Sequence, residues 1–150
     1  MNYERDAHGC TKWQNRYIIV VGSWHGTLST STCEIYDVLT DQWSMLPALN
    51  DSTCAPGLVV MKERFLYKLG GTSDIGKVEM LDLLAVGDKK KWVSISTANK
   101  FGRKHTINRC LLHPLPGEHD ESSFLVLGCH FGRSEKPFVY NTRQNMYTQF

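Results

Sequence analysis

The sequence predicts an all-β fold built from three similar units, and three observations lead to this prediction. Short apolar runs that end in glycine occur three times, a second run ending in Asp or Asn follows each one, and an aromatic residue comes soon afterwards. The runs are short, rich in β-branched and aromatic residues and bounded by turn formers, as is typical of strands. The pattern indicates four short antiparallel strands in each unit, repeated about every 50 residues.

The glycine-ended runs are the predicted second strands of the three units. They are Tyr17–Gly22, Phe65–Gly71 and Phe124–Gly128. The runs end at Gly22, at the Gly70-Gly71 pair and at Gly128. Glycine at such a place permits a positive φ and lets a neighbouring backbone approach closely.

The third and fourth strands follow in each unit. The third strands are predicted at 33–37, 78–82 and 137–141, and they end in Asp37, Asp82 and Asn141. These side chains hydrogen-bond the backbone that follows them and so begin turns. The aromatic residues of the fourth strands are Trp43, Trp92 and Tyr147, while Tyr36 and Tyr140 precede the turn-forming residue in the first and third units.

The first strands complete the units and set their boundaries. They are predicted within His8–Trp13, Gly57–Met61 and Ile107–Leu112. The chain then divides into a polar lead-in at 1–6, a first unit at 7–54, a second at 55–104 and a third at 105–150. The third unit stops at Phe150, inside its last predicted strand.

These features resemble the kelch repeat family. The resemblance rests on Gly70-Gly71 closing a strand, on Glu34-Ile35-Tyr36-Asp37 with Trp43, and on Leu46-Pro47. It implies that each unit is one four-stranded blade of a β-propeller. The first and third units depart from the pattern with Gly22-Ser23 and Gly128-Cys129, and Tyr147 replaces the usual tryptophan.

The resemblance also carries expectations about packing and assembly. Trp43 and Trp92 should be largely buried between neighbouring blades, since their large rings suit that packing. Propellers usually contain about four to eight blades, so three blades form an incomplete ring. We expect either a fragment of a longer propeller or a second copy of the chain that completes the ring.

The resemblance implies a non-enzymatic scaffold that binds another protein. Many kelch proteins recognise substrates for ubiquitin ligases or link the cytoskeleton, and fold alone does not choose between these roles. The predicted binding residues lie on two long loops after the glycines, 23–32 and 129–136. They are Trp24, His25, Phe131 and Arg133. Trp24 and Phe131 could instead fold back over their own blades.

An alternative function is nucleotide binding or a small enzymatic activity at 71–77. Gly71-Thr72-Ser73-Asp74-Ile75-Gly76-Lys77 fits part of a phosphate-binding loop, but Val78 stands where that motif has Ser or Thr. A phosphate-binding loop also needs a helix after it, with the helix N-terminus towards the phosphate. The repeat predicts a strand there.

Composition excludes several other classes of function. The net charge of +2 is too small to indicate nucleic acid, and no apolar run approaches the roughly 20 residues that cross a bilayer. The polar first residues are unlike a signal peptide, and five irregularly spaced cysteines suggest reduced thiols in the cytoplasm. No paired spacing indicates a metal site, and we expect no cofactor.

Overall fold

The computed structural model describes residues 1–72, 77–96, 108–115, 122–130, 133–134 and 137–149. Strands dominate this part of the chain, as the sequence predicts. A 3₁₀-helix at Gly87–Lys89 lies between two strands. No helix of the described part is long and apolar enough to cross a membrane.

The strands form three antiparallel sheets that follow one another along the chain. Sheet 1 contains β1 (Gly9–Trp13), β2 (Tyr17–His25), β3 (Leu28–Asp37) and β4 (Gln42–Leu46), in that order. Sheet 2 contains β5 (Gly57–Met61), β6 (Phe65–Leu69), β7 (Val78–Asp82) and β8 (Trp92–Ser96), also in order. Sheet 3 contains β9 (Asn108–Pro114), β10 (Ser123–His130), β11 (Arg133–Ser134), β12 (Phe138–Asn141) and β13 (Met146–Gln149). The short β11 pairs with the end of β10, and the other four strands repeat the arrangement of sheets 1 and 2.

Asx turns end the third strand of each sheet. The Oδ1 atoms of Asp37, Asp82 and Asn141 each accept a hydrogen bond of 3.0 Å from the backbone N–H two residues later. This local bond stops the strand and starts the hairpin. In sheet 1 the Arg16 guanidinium also donates to both Asp37 oxygens, and these hydrogen bonds, together with the Leu39 N–H and the charge of Arg16, lower the pKa of that carboxyl to about 2.

Gly22 shows why glycine closes the second strand. Its φ is +65°, and a Cβ built there would lie 2.5 Å from the carbonyl oxygen of Thr53, on the segment that links sheet 1 to sheet 2. Gly71 also has a positive φ, and a Cβ there would collide with the Thr53 hydroxyl. Any larger residue at either place would push this linker away from both sheets.

Two hydrophobic cores lie between the sheets. We call the face of a sheet that looks towards the sheet before it in the chain its leading face, and the opposite face its trailing face. The first core joins the trailing face of sheet 1 to the leading face of sheet 2; it contains Ile19, Val21, Cys33, Leu46, Leu49, Leu58, Leu66, Leu81, Leu83 and Trp92. The second core joins sheets 2 and 3 in the same way; it contains Val59, Met61, Tyr67, Leu69, Val78, Cys110, Leu112, Phe124, Val126, Phe138 and Tyr140. Each sheet therefore stacks on the next with the same orientation.

The two tryptophans at the same repeat position, Trp43 and Trp92, differ in burial. Trp92 is only 4% exposed, and its indole N–H donates to the carbonyl of Pro47 in the link from sheet 1, at 2.9 Å. Trp43 is half-buried and packs on Tyr36, with ring centroids 5.0 Å apart. The prediction that Trp43 is largely buried between blades is therefore wrong. Its ring lies on the leading face of sheet 1, on which no described sheet packs.

Candidate protein-binding site

The predicted loop at 23–32 is a β-hairpin. Beyond Gly22, β2 and β3 stay paired through Ser23↔Thr30, Trp24↔Ser29 and His25↔Leu28. The loop prediction for Trp24 and His25 is therefore wrong, because both residues lie in β2. A bulge at Gly22 shifts the register and lets the pairing continue. The polar Ser and Thr residues suggested a loop, but threonine is also a good strand former.

The end of this hairpin carries exposed apolar surface. Trp24 is 40% exposed and Leu28 is 72% exposed, while His25 is exposed beside Leu28. Adjacent strand residues point to opposite sides, so Trp24 lies on one side of the ribbon and His25 with Leu28 on the other. We call Trp24, His25 and Leu28 the hairpin tip. The sequence did not single out Leu28, because a lone leucine among polar residues carries no local signal.

Backbone hydrogen bonds hold the base of the hairpin on two sides. The Trp24 N–H donates to the Asp6 carbonyl at 2.7 Å, and the Asp6 N–H donates to the Ser23 hydroxyl at 3.1 Å. The Ser23 N–H donates to the Thr53 carbonyl, and the Thr53 N–H donates to the Thr30 carbonyl, both at 3.0 Å. The tip therefore projects from a fixed base. Binding to a partner would then cost the tip little conformational entropy.

Sheet 3 has a shorter version of the same hairpin. Cys129 pairs with Ser134 and His130 pairs with Arg133, so Arg133 lies in β11, not in a loop. Phe131 lies outside the described residues. Both hairpins join the second strand of a sheet to the third. Equivalent loops of a propeller emerge on the same face, and that Trp24 and Phe131 therefore lie on one side of the ring stays a prediction.

The phosphate-binding alternative lacks its structural requirement. Residues 73–76 lie outside the described part of the chain, but Val78 begins β7. A strand thus follows the motif where a helix N-terminus would have to face the phosphate. The Lys77 ammonium contacts the Asp51 carboxylate and lies 3.7 Å from a carboxylate oxygen of Glu79. The lysine of the motif is therefore part of an ion-pair cluster within the fold.

Buried ion pairs occupy matching places in sheets 1 and 2. Glu34 and Arg5 are both fully buried and lie 2.9 Å apart, and Glu79 lies 3.4 Å from the equally buried Lys68. Glu34 and Glu79 recur at one repeat position, and both make contacts within the fold. Arg5 was missed, since its partner is 29 residues away and the polar lead-in gave no sign of burial.

The remaining polar groups offer no metal site in the part of the chain that the structure describes. No group of three or more His, Cys, Asp or Glu side chains there could hold a metal ion. Cys33 and Cys54 are buried free thiols, and Cys10 is an exposed one. Burial raises the pKa of Cys33 to about 12, so its thiol stays protonated at neutral pH.

Comparison with known proteins addresses the repeat directly. A family model described as the kelch motif matches residues 14–50, which contain β2, β3 and β4 of sheet 1. The match confirms the predicted resemblance in sheet 1, and sheets 2 and 3 repeat the same order of four antiparallel strands. The matched segment covers about a quarter of the chain. No curated protein matches the sequence of the chain. The kelch motif marks a protein-interaction module, and kelch repeat proteins are generally non-enzymatic.

Proposed function

We propose that this chain is a non-enzymatic, cytoplasmic module that binds another protein through its hairpin tip. The observation that carries the proposal is the exposed Trp24 and Leu28 at the end of a hairpin whose base is held by hydrogen bonds. Large apolar side chains on a fixed frame are typical of the residues that dominate protein interfaces. The kelch motif supports this class of function.

The tip would insert an aromatic side chain into an apolar pocket of the partner. An indole supplies a large rigid surface with few torsion angles to order, and its N–H can donate a hydrogen bond at the rim. Truncation of such an anchor typically costs 2 kcal/mol or more of binding free energy, roughly 30-fold in affinity. Arg133 would extend the surface with a planar guanidinium able to bind a carboxylate.

Affinity purification with mass spectrometry tests the proposal and identifies the partner. The baits are the wild-type chain, a Trp24→Ala/Arg133→Ala double variant, and a Leu84→Ala control. Leu84 is also an exposed apolar residue, but it lies in a turn of sheet 2. We expect a protein captured by the wild type and the control to be lost from the double variant, with an unchanged melting temperature.

The same experiment distinguishes the finer roles. Ubiquitin ligase subunits or their substrates in the specific fraction would indicate substrate recognition, and actin-associated proteins would indicate a cytoskeletal link. A double variant that is as stable as the wild type and captures the same proteins would refute binding through the tip. A melting temperature raised by saturating nucleotide would instead support the nucleotide-binding alternative.

A further inference from the structure

The leading face of sheet 1 has the composition of a covered face but no described sheet packs on it. One row of paired residues crosses this face: Lys12, Ile18, Tyr36 and Trp43. The matching row of sheet 2 is Val60, Leu66, Leu81 and Trp92, which packs on sheet 1. Ile18 is exposed and Met45, on the same face, is 49% exposed. Lys12 can place its aliphatic stem along such a surface and keep its charge at the rim.

The trailing face of sheet 3 shows the complementary situation. Leu125 and Leu127 hold the repeat positions of Ile19 and Val21 in sheet 1, which are fully buried against sheet 2. Leu127 is instead exposed, and its cross-strand partner Leu111 is 62% exposed. The described residues place no sheet on this face. Such a contiguous apolar surface marks an interaction site.

The first residues of the chain cover part of the leading face of sheet 1, as the linker between sheets 1 and 2 covers part of sheet 2. The Asn2 N–H donates to Glu34 at 2.7 Å, as the Asn50 side chain donates to the matching Glu79 at 2.6 Å. Ala7 and Ala55 share a positive φ at matching places just before β1 and β5. Residues 1–6 therefore lie on sheet 1 as the linker at 49–54 lies on sheet 2. The row Lys12, Ile18, Tyr36 and Trp43 on the leading face of sheet 1 is left uncovered by these residues, and the trailing face of another sheet would cover it.

We infer that two copies of this chain associate, with the leading face of sheet 1 in each copy packed on the trailing face of sheet 3 in the other. The two faces are of the kinds that meet at both junctions within one chain. When two different faces meet, repeated contacts form a closed ring if the rotation that relates one copy to the next brings the last copy back to the first. Propellers contain about four to eight blades, and two copies of the three sheets in the described residues make six. The pair thus buries both open faces in a six-sheet ring.

The mass of the wild-type chain in solution is the first test. Sedimentation equilibrium should give twice the monomer mass of 17.1 kDa at high protein concentration, with dissociation on dilution. A mass of 17.1 kDa at every concentration would overturn the inference without recourse to any variant.

Complementation between two variants tests which faces meet. Met45→Asp places a charge on the leading face, and Leu111→Lys places one on the trailing face. Each variant alone should be monomeric because both junctions of its homodimer contain one damaged face. An equimolar mixture should form a heterodimer, since one junction is then intact and the damaged faces meet each other with opposite charges.

Leu39→Asp changes an exposed apolar residue in the β3–β4 turn of sheet 1, off both faces, and should remain dimeric. Circular dichroism checks that every variant keeps its strand content. Dimers that persist in either face variant, or a mixture that stays monomeric, would overturn the pairing of these two faces.

Discussion

Trp92 provides the strongest test of the packing between sheets 1 and 2. Its ring is almost fully buried in the first core, and its indole N–H donates to the Pro47 carbonyl. Trp92→Ala removes the ring and leaves that carbonyl without its donor. Replacing a buried tryptophan by alanine typically costs about 3–5 kcal/mol, and loss of a hydrogen bond adds roughly 1 kcal/mol. This loss is comparable with the whole stability of many domains, about 5–15 kcal/mol.

The matched variant is Trp43→Ala, which removes the same side chain from the same repeat position in sheet 1. Trp43 is half-buried and packs mainly on Tyr36, so we expect a cost of about 2 kcal/mol, roughly half that of a fully buried tryptophan. Urea unfolding followed by circular dichroism, at protein concentrations low enough to keep the chain monomeric, measures both free energies of unfolding. Equal losses for Trp43→Ala and Trp92→Ala would refute the assignment of one tryptophan to an interior junction and the other to an open face.

Three further predictions concern the backbone, a buried ion pair and an acidic turn. Gly22→Ala should lower the free energy of unfolding by about 1–3 kcal/mol more than Gly26→Ala, because both residues have a positive φ but only Gly22 abuts the sheet linker; equal melting temperatures would contradict this. Arg5→Ala should cost about 3–5 kcal/mol because it leaves Glu34 buried without its cation. In the same urea assay Arg5→Leu/Glu34→Leu should recover only part of this loss, because Arg5 also donates to the carbonyls of Gly22 and Thr32. Asp37→Asn should lower the melting temperature at neutral pH. The difference in melting temperature from the wild type should disappear as the pH falls from about 4, the pKa of Asp37 in the unfolded chain, through about 2, its pKa in the folded chain. A difference that does not change with pH would exclude the ion pair with Arg16 as its cause.

The sequence predicted the strands well because the signals that define them are local. A glycine with positive φ, an Asx turn and an aromatic residue a few positions later act within one hairpin, so Gly22, Asp37 and Trp92 could be placed without a structure. The hairpin at 23–32 was missed because its pairing runs between polar residues, whose composition resembles that of a loop. Strand pairing there depends on the partner strand as much as on the residues themselves.

The errors in burial have a different cause. Whether Trp43 is covered depends on a neighbouring sheet, and the sequence of its own unit contains no information on that neighbour. The burial of Arg5 also depends on a residue distant in sequence, because Arg5 pairs with Glu34. The candidate site was predicted in part: Trp24 was recognised by residue type, whereas Leu28 became evident only from its exposure beside His25.

Site-specific photo-cross-linking tests the hairpin tip as the binding surface most directly. A photoreactive amino acid replaces Leu28 at the tip or, as a control, Leu84 in the exposed turn of sheet 2. After irradiation in cells, the Leu28 position should cross-link to one discrete protein, the cross-link should disappear when Trp24→Ala is added, and the Leu84 position should give none. A cross-link from position 84 with none from position 28 would contradict the account and place the partner elsewhere on the blades.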